Sequence, residues 1–251
     1  MRIAFISDIH GNLTALDAVL ADLAREQIDQ YVCLGDVVEF GPQPRECLAR
    51  ILALKGICIM GNTDERMAVP HREHLHVTEP GPEIEMELWC YDQLTQEDRA
   101  AIHTFRATAE IDLGNELRLL AYHGSPRSNV ERIVSMTSYH DLDAMFANAN
   151  HSARVLVGGH THQQFIRQYN RALLINPGSV GLPFERLGEG LDHRPAWAAY
   201  AVVNARDGRV SVDLRRTPIE LVKLRDSVMH SGMPDPKWWL QDWELRLHSR
   251  E

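Results

Sequence analysis

Apolar and polar positions alternate in blocks along the first sixty residues. Ile3–Ile6, Tyr31–Leu34 and Ile57–Met60 are short apolar runs that predict buried strands. Between the first two, Asn12 stands as a helix N-cap before Leu13, Leu16, Leu20 and Leu23 at helical spacing. Between the second and third, Pro44 suits the first turn of a helix carrying Leu48, Ile51 and Leu52, which Gly56 ends. The order β-α-β-α-β predicts parallel strands joined by right-handed crossovers.

Farther on, a polar stretch from Glu65 to about Pro82 predicts a loop, followed by helices over Ile84–Leu94 and Gln96–Phe105. The texture then changes to hairpins. Glu110–Leu113 and Leu117–Tyr122 flank Gly114-Asn115. Gln164–Tyr169 and Ala172–Ile175 flank Asn170-Arg171. Trp197–Val203 and Val210–Leu214 flank Asp207-Gly208. A helix over Ser138–Ala147, with a capping box at Ser138 and Asp141, and a strand over Arg154–Val157 lie among them. The second half therefore predicts a largely antiparallel sheet. Ile219–His230 predicts a helix, and Trp238, Trp239 and Trp243 fall on a final one, where core packing is the expected role. The expected fold class is α/β, with two stacked mixed β-sheets flanked by helices. One domain over residues 1–251 is expected, with a helical excursion at about 65–108 and a C-terminal helical segment at about 219–251. No repeat, low-complexity tract or linker divides the chain.

The polar residues that end the strands change the picture from fold to chemistry. Asp8-Ile9-His10, Gly35-Asp36 and Gly61-Asn62 close the three predicted parallel strands. Strand ends in such a sheet share one edge, where ligands bind. Asp8, His10, Asp36 and Asn62 should therefore converge. The second half adds His123 after Leu119–Tyr122, and His160 and His162 after Val155–Val157. Each element alone has an ordinary explanation: a cap, a turn, a hydrogen-bonded core histidine. The five in order, each at the end of a predicted strand, carry the reading. A donor set of Asp, Asn and His without Cys suits Mn, Fe, Co, Ni or Zn. Seven donors exceed one tetrahedral ion and suit two ions sharing a carboxylate, a clamp for displacement at phosphorus. Asp36, Asn62 and His123 are the catalytic candidates. Two divalent ions, manganese first among them, are the expected cofactors.

This series resembles the calcineurin-like metallophosphoesterase family, whose pattern is D-x-H, G-D, G-N-H-[DE], a lone His and G-H-x-H. The resemblance covers about residues 1 to 185. It includes Asn176-Pro177-Gly178-Ser179, which is similar to the substrate-side loop of the small bacterial and archaeal phosphodiesterase branch. It implies a sandwich of two sheets with outer helices. It implies one ion on Asp8, His10 and His162, another on Asn62, His123 and His160, and Asp36 between them. Asn12, Asn176, Gly178 and Ser179 are the candidate substrate contacts. One position departs from the pattern. The family's His after Asn helps protonate the leaving group or stabilise the transition state, and position 63 is Thr. A threonine hydroxyl is no useful acid near pH 7. Phosphodiesters or phosphoanhydrides with good leaving groups are therefore expected, rather than phosphoproteins. His71, His74 and His76 are candidates to replace that acid, against the plainer reading of a solvated loop. Arg127 and Arg186 are candidates to hold phosphate.

Composition sets the bounds. A formal net charge of −9 argues against long duplex nucleic acid and anionic membrane as partners, and bound metal can still attract a small phosphorylated substrate. No segment has the length of a membrane span, and with Ser7-Asp8 directly after Met1–Ile6 no signal peptide is expected. Cys33, Cys47, Cys58 and Cys90 form no C-x-x-C pair, so buried reduced thiols in a cytoplasmic protein are expected. A homo-oligomer stays open. A phosphomonoesterase acting on a small metabolite, and a non-catalytic scaffold of the retromer-subunit type, are the competing functions.

Overall fold

The computed structural model describes residues 1–69, 81–149, 152–187 and 191–244. The chain begins with β1 (Arg2–Ile6), α1 (Leu13–Leu23), β2 (Gln30–Cys33), α2 (Pro44–Ala53) and β3 (Ile57–Cys58). The Asn12 side chain caps α1 through Ala15 N–H, and Pro44 opens α2, as the sequence predicts. β1 pairs in parallel with β2, and β2 with β3.

Helix α3 (Asn62–Ala68) follows at once. Residues 65–68, expected in a loop, are thus helical. Asp64 and Glu65 in the first turn favour a helix start there. His71, His74 and His76 lie outside the described residues. α4 (Pro82–Gln93) and α5 (Gln96–Ile102) come next, the latter opened by a Thr95–Asp98 capping box.

The second half runs β4 (Thr108–Gly114), β5 (Leu117–Tyr122), α6 (Tyr139–Met145), β6 (Val155–Val157), β7 (Phe165–Tyr169) and β8 (Ala172–Asn176). Then come β9 (Glu185–Leu187), β10 (Leu191–His193), β11 (Trp197–Arg206), β12 (Arg209–Pro218), α7 (Leu221–His230) and α8 (Pro236–Glu244). The three predicted hairpins form, the first turning on Asn115-Glu116, one residue later than expected, where both residues have positive φ.

One sheet has the order β12-β11-β1-β2-β3, and the other β4-β5-β6-β8-β7. This corrects the expectation of a largely antiparallel second sheet. Its centre, β5-β6-β8, is parallel, and the β11–β12 hairpin joins the first sheet beside β1. The crossover through α6 returns β6 parallel to β5, and β8 comes back parallel to β6. The small β9–β10 ribbon stands apart from both sheets.

Alternation along the strands explains the layers. Ile3 and Phe5 of β1 face the second sheet, meeting Leu119, Ala121, Val155 and Val157 in the inter-sheet core. Ala4 and Ile6 face outward under α1, α2 and the C-terminal helices. Leu120, Tyr122, Leu156 and Leu174 cover the far face of the second sheet with α6. Trp239 and Trp243 are fully buried with stacked rings 5.8 Å apart, which bears out core packing for that cluster. All four cysteines are free, and three are buried. Among the described residues no helix is long and apolar enough to cross a membrane.

Candidate metal centre

The two sheets bring the strand ends that carry the candidate ligands to one place. Asp8 and His10 follow β1, Asp36 follows β2, and Asn62 opens α3 just after β3. His123 follows β5, and His160 and His162 follow β6. Five of these seven have positive φ: Asp8 (55°), His10 (47°), Asp36 (56°), His160 (67°) and His162 (58°). A left-handed backbone is costly for residues with a Cβ and collects at functional sites. Backbone hydrogen bonds hold the loops in this form. Asp8 N–H donates to the Gly35 carbonyl, His10 N–H to Asp36, Gly159 N–H to His123, and Gly181 N–H to Asp8.

Two groups of donors result. Asp8, His10 and His162 have ligand atoms within 4.8 Å of one another, as do Asp36, His123 and His160. Asn62 joins the second group, with its Oδ1 3.1 Å from His123 Nε2. Asp36 lies between them: its Oδ2 is 3.7 Å from His10 Nε2 and 3.4 Å from His123 Nε2.

The chemistry of the donors fits metal ions. His10, His123 and His162 each set Nδ1 against a backbone carbonyl, of Glu39 (3.0 Å), Leu34 (2.7 Å) and Leu182 (2.6 Å). A carbonyl only accepts, so Nδ1 carries a proton and Nε2 faces the site, where a cation that displaces its proton finds the lone pair. His10 Nε2 and His162 Nε2 then stand 3.2 Å apart, a contact that calls for a cation between them. Asp8 is fully buried, and its Oδ1 makes no well-formed hydrogen bond, with His162 Nε2 3.3 Å away.

Titration points the same way. Burial works to raise Asp8 and Asp36, yet positive neighbours hold both below the usual carboxylate range: chiefly His162 for Asp8, and His123 with His10 for Asp36. Burial pulls His10 down to about 4, against the attraction of Asp36. Burial also opposes the charge on His123, but Asp36 prevails and lifts it to about 9. Burial lowers His160, and His123 adds to that. Asp8 raises His162 against its burial. Two buried carboxylates demand positive charge here.

Residues outside the ligand set fix it. Asp64 is buried, and its carboxylate accepts from the N–H groups of Asp36 (2.7 Å) and Val37 (2.8 Å), tying the second loop to the third. Thr63 donates to Asp36 Oδ1 from both its backbone N–H (2.9 Å) and its hydroxyl (2.8 Å). Gly61 allows this approach, since a Cβ there would lie 2.2 Å from Asp36 Oδ1 and 2.3 Å from Asp36 N. The sequence reading gave no role to Asp64, although an acid two residues into a helix starting at Asn62 is a signal for such capping.

The side chains expected to contact substrate make hydrogen bonds within the fold. Asn12 Oδ1 accepts from Ala15 N–H, and its amide donates to the Gly181 carbonyl. Asn176 donates to the Gly159 carbonyl and to Thr161 Oγ1, and accepts from Gly178 N–H. Ser179 donates to the Asp8 carbonyl and accepts from Leu182 N–H. The three side chains are buried and position the loops that carry the candidate ligands; Gly178 makes the turn between Asn176 and Ser179 with φ of 80°. Arg127 is engaged by Glu131 and the Ala144 carbonyl. The Arg186 side chain lies outside the described residues.

Comparison with known proteins agrees with this geometry. The profile of the calcineurin-like phosphoesterase superfamily domain matches residues 1–201. The chain belongs to that superfamily. An uncharacterized protein of Methanocaldococcus jannaschii is 26% identical over 253 residues, covering 95% of each chain. The phosphodiesterase YfcE of Escherichia coli is 27% identical over 196 residues, which are 73% of this chain and 81% of YfcE. The crystal structure of a metallophosphoesterase from Sphaerobacter thermophilus superposes with a TM-score of 0.71 at 26% identity, covering 96% of this chain and 97% of that one. The α-β-β-α sandwich is that of the superfamily, and the candidate ligands sit on its strand ends.

Proposed function

We propose that the protein hydrolyses phosphodiester or phosphoanhydride bonds of small molecules with two divalent ions. One ion is held by Asp8, His10 and His162, the other by Asn62, His123 and His160, and Asp36 is shared. The observation that carries this reading is the pairing of the two donor groups across Asp36, with Nε2 atoms turned inward. When bound, such ions offset the charge of phosphate oxygens and acidify a water for attack at phosphorus. The protein's part is positioning. The carbonyls of Glu39, Leu34 and Leu182 orient three imidazoles, and Thr63 orients the shared carboxylate.

The same bonds explain the departure at position 63. Thr63 serves Asp36, and its hydroxyl cannot protonate a leaving oxygen near pH 7. The bond from phosphorus to the leaving oxygen must then break with little help, which favours good leaving groups. YfcE's description as a phosphodiesterase supports this choice. With manganese supplied, bis(p-nitrophenyl) phosphate is expected to turn over faster than phosphopeptides in steady-state assays. Faster turnover of the phosphopeptides overturns the diester reading.

Thr63→Val tests the positioning role. It keeps the backbone donor and removes the hydroxyl, so metal affinity should fall by about 10- to 100-fold, the range for a partner behind a ligand. Calorimetric titration with Mn²⁺ reads this directly. An unchanged affinity would show that the hydroxyl does not hold the carboxylate.

A further inference from the structure

Beside the Asp8–His10–His162 group opens a cavity of about 430 Å³, lined by Arg132, His162, Leu182, Phe184, His193, Arg194 and Asp242. His162 is common to the cavity and the donor group, and the Phe184 ring lies 6.5 Å from its imidazole. The walls come from the loop before β9, from the end of β10, from the loops that carry Arg132 and His162, and from α8, which lies beyond the part of the chain that the superfamily profile matches.

His193 is only 2% exposed, and among the described residues neither of its ring nitrogens has a hydrogen-bond partner. Leaving such a ring unpaired is costly, so its place on a cavity wall calls for a polar ligand. Arg194 stands beside it. Its Cζ lies 5.4 Å over the Trp239 ring, its Nε is 3.5 Å from Asp242, and its Nη1 is buried without a partner. Arg132 is exposed at the mouth, and no hydrogen bond or ion pair engages its guanidinium among the described residues. Among the described residues that line it, two guanidinium groups face one carboxylate, a positive balance in a chain whose formal net charge is −9. Arginine donors in a fork suit phosphate oxygens.

We propose that this cavity receives a second phosphate of the substrate, next to the phosphorus under attack, which makes phosphoanhydrides the preferred substrate class. Arg132 and Arg194 pair with the phosphate oxygens, and His193 donates the remaining hydrogen bond. This rests on the phosphoesterase reading above and narrows it. A simple diester fills the metal centre alone; an anhydride fills both places.

The test compares two inhibitors of bis(p-nitrophenyl) phosphate hydrolysis by the full chain at fixed free Mn²⁺. AMP has one phosphate, and α,β-methylene-ADP has a second on a bridge that does not hydrolyse. The wild type should bind the second about tenfold more tightly or better, as one charge-assisted contact implies. Arg132→Ala should bring the two inhibition constants close together. Arg194→Met should do the same, and the exposed position of Arg132 keeps the test available should the buried variant fail to fold. A wild-type preference that both variants retain, or no preference in the wild type, overturns the assignment of the cavity. A wild type that hydrolyses no phosphoester with manganese instead overturns the phosphoesterase reading beneath it.

Discussion

Replacing Asp36 by Asn should lower phosphodiester turnover on the order of 10³-fold, the scale seen when a preorganised charge is removed from an active site. The two oxygens of Asp36 have different duties. Oδ1 accepts from the Thr63 N–H and hydroxyl, and Oδ2 faces His10 and His123. An asparagine meets both duties badly. With its oxygen toward Thr63, its NH₂ points into the donor cluster and cannot ligate. Flipped, its NH₂ faces the Thr63 N–H. The negative charge between the two donor groups is lost either way. The variant should keep its fold by circular dichroism, since Asp64 still joins the loops through the backbone of residues 36 and 37. Near wild-type turnover would rule out a shared carboxylate at position 36.

Removal of metal should lower the melting temperature by roughly 8–16 °C. The sign follows from linkage: a ligand that binds only the folded chain stabilises it, by about 4 kcal/mol at a thousandfold excess over Kd. For a chain of this size each kcal/mol shifts the midpoint by about 2–4 °C. The structure supplies the reason. Without a cation, Asp8 and Asp36 are buried negative charges, and His10 and His162 hold facing nitrogens 3.2 Å apart. Scanning calorimetry with chelator and then with excess Mn²⁺ measures the change. Coincident melting curves would mean that the folded chain takes up no ion there.

Much of this centre was legible in the chain, for reasons that differ by residue. Asp8, His10, Asp36 and Asn62 follow β1, β2 and β3, and a β-α-β-α-β order is enough to place them on one edge. His123, His160 and His162 belong to another sheet. No local rule says how two sheets meet, so the resemblance to a family was needed to join them. The β11–β12 hairpin shows the same limit. Its turn at Asp207-Gly208 is local and legible in the sequence, while its pairing with β1, nearly the whole chain away, has no local signal.

Side-chain direction was the other gap. Asn12, Asn176 and Ser179 lie in the right loops for substrate, yet their polar atoms turn inward to backbone partners. The reverse holds for His193 and Arg194. They stand in a stretch without a motif, and only the packing of α8 against β10 makes them walls of a cavity. In the sequence, Thr63 marks only the absence of an acid. The structure adds what it supplies instead, two donors to one carboxylate oxygen.

The most direct test of the two-ion centre is a count of bound metal by elemental analysis, after reconstitution with Mn²⁺ and removal of the free ion. The wild type should retain two ions per chain, His162→Ala one, and Asp36→Asn fewer than two. A wild-type chain that retains one ion or none would contradict the account.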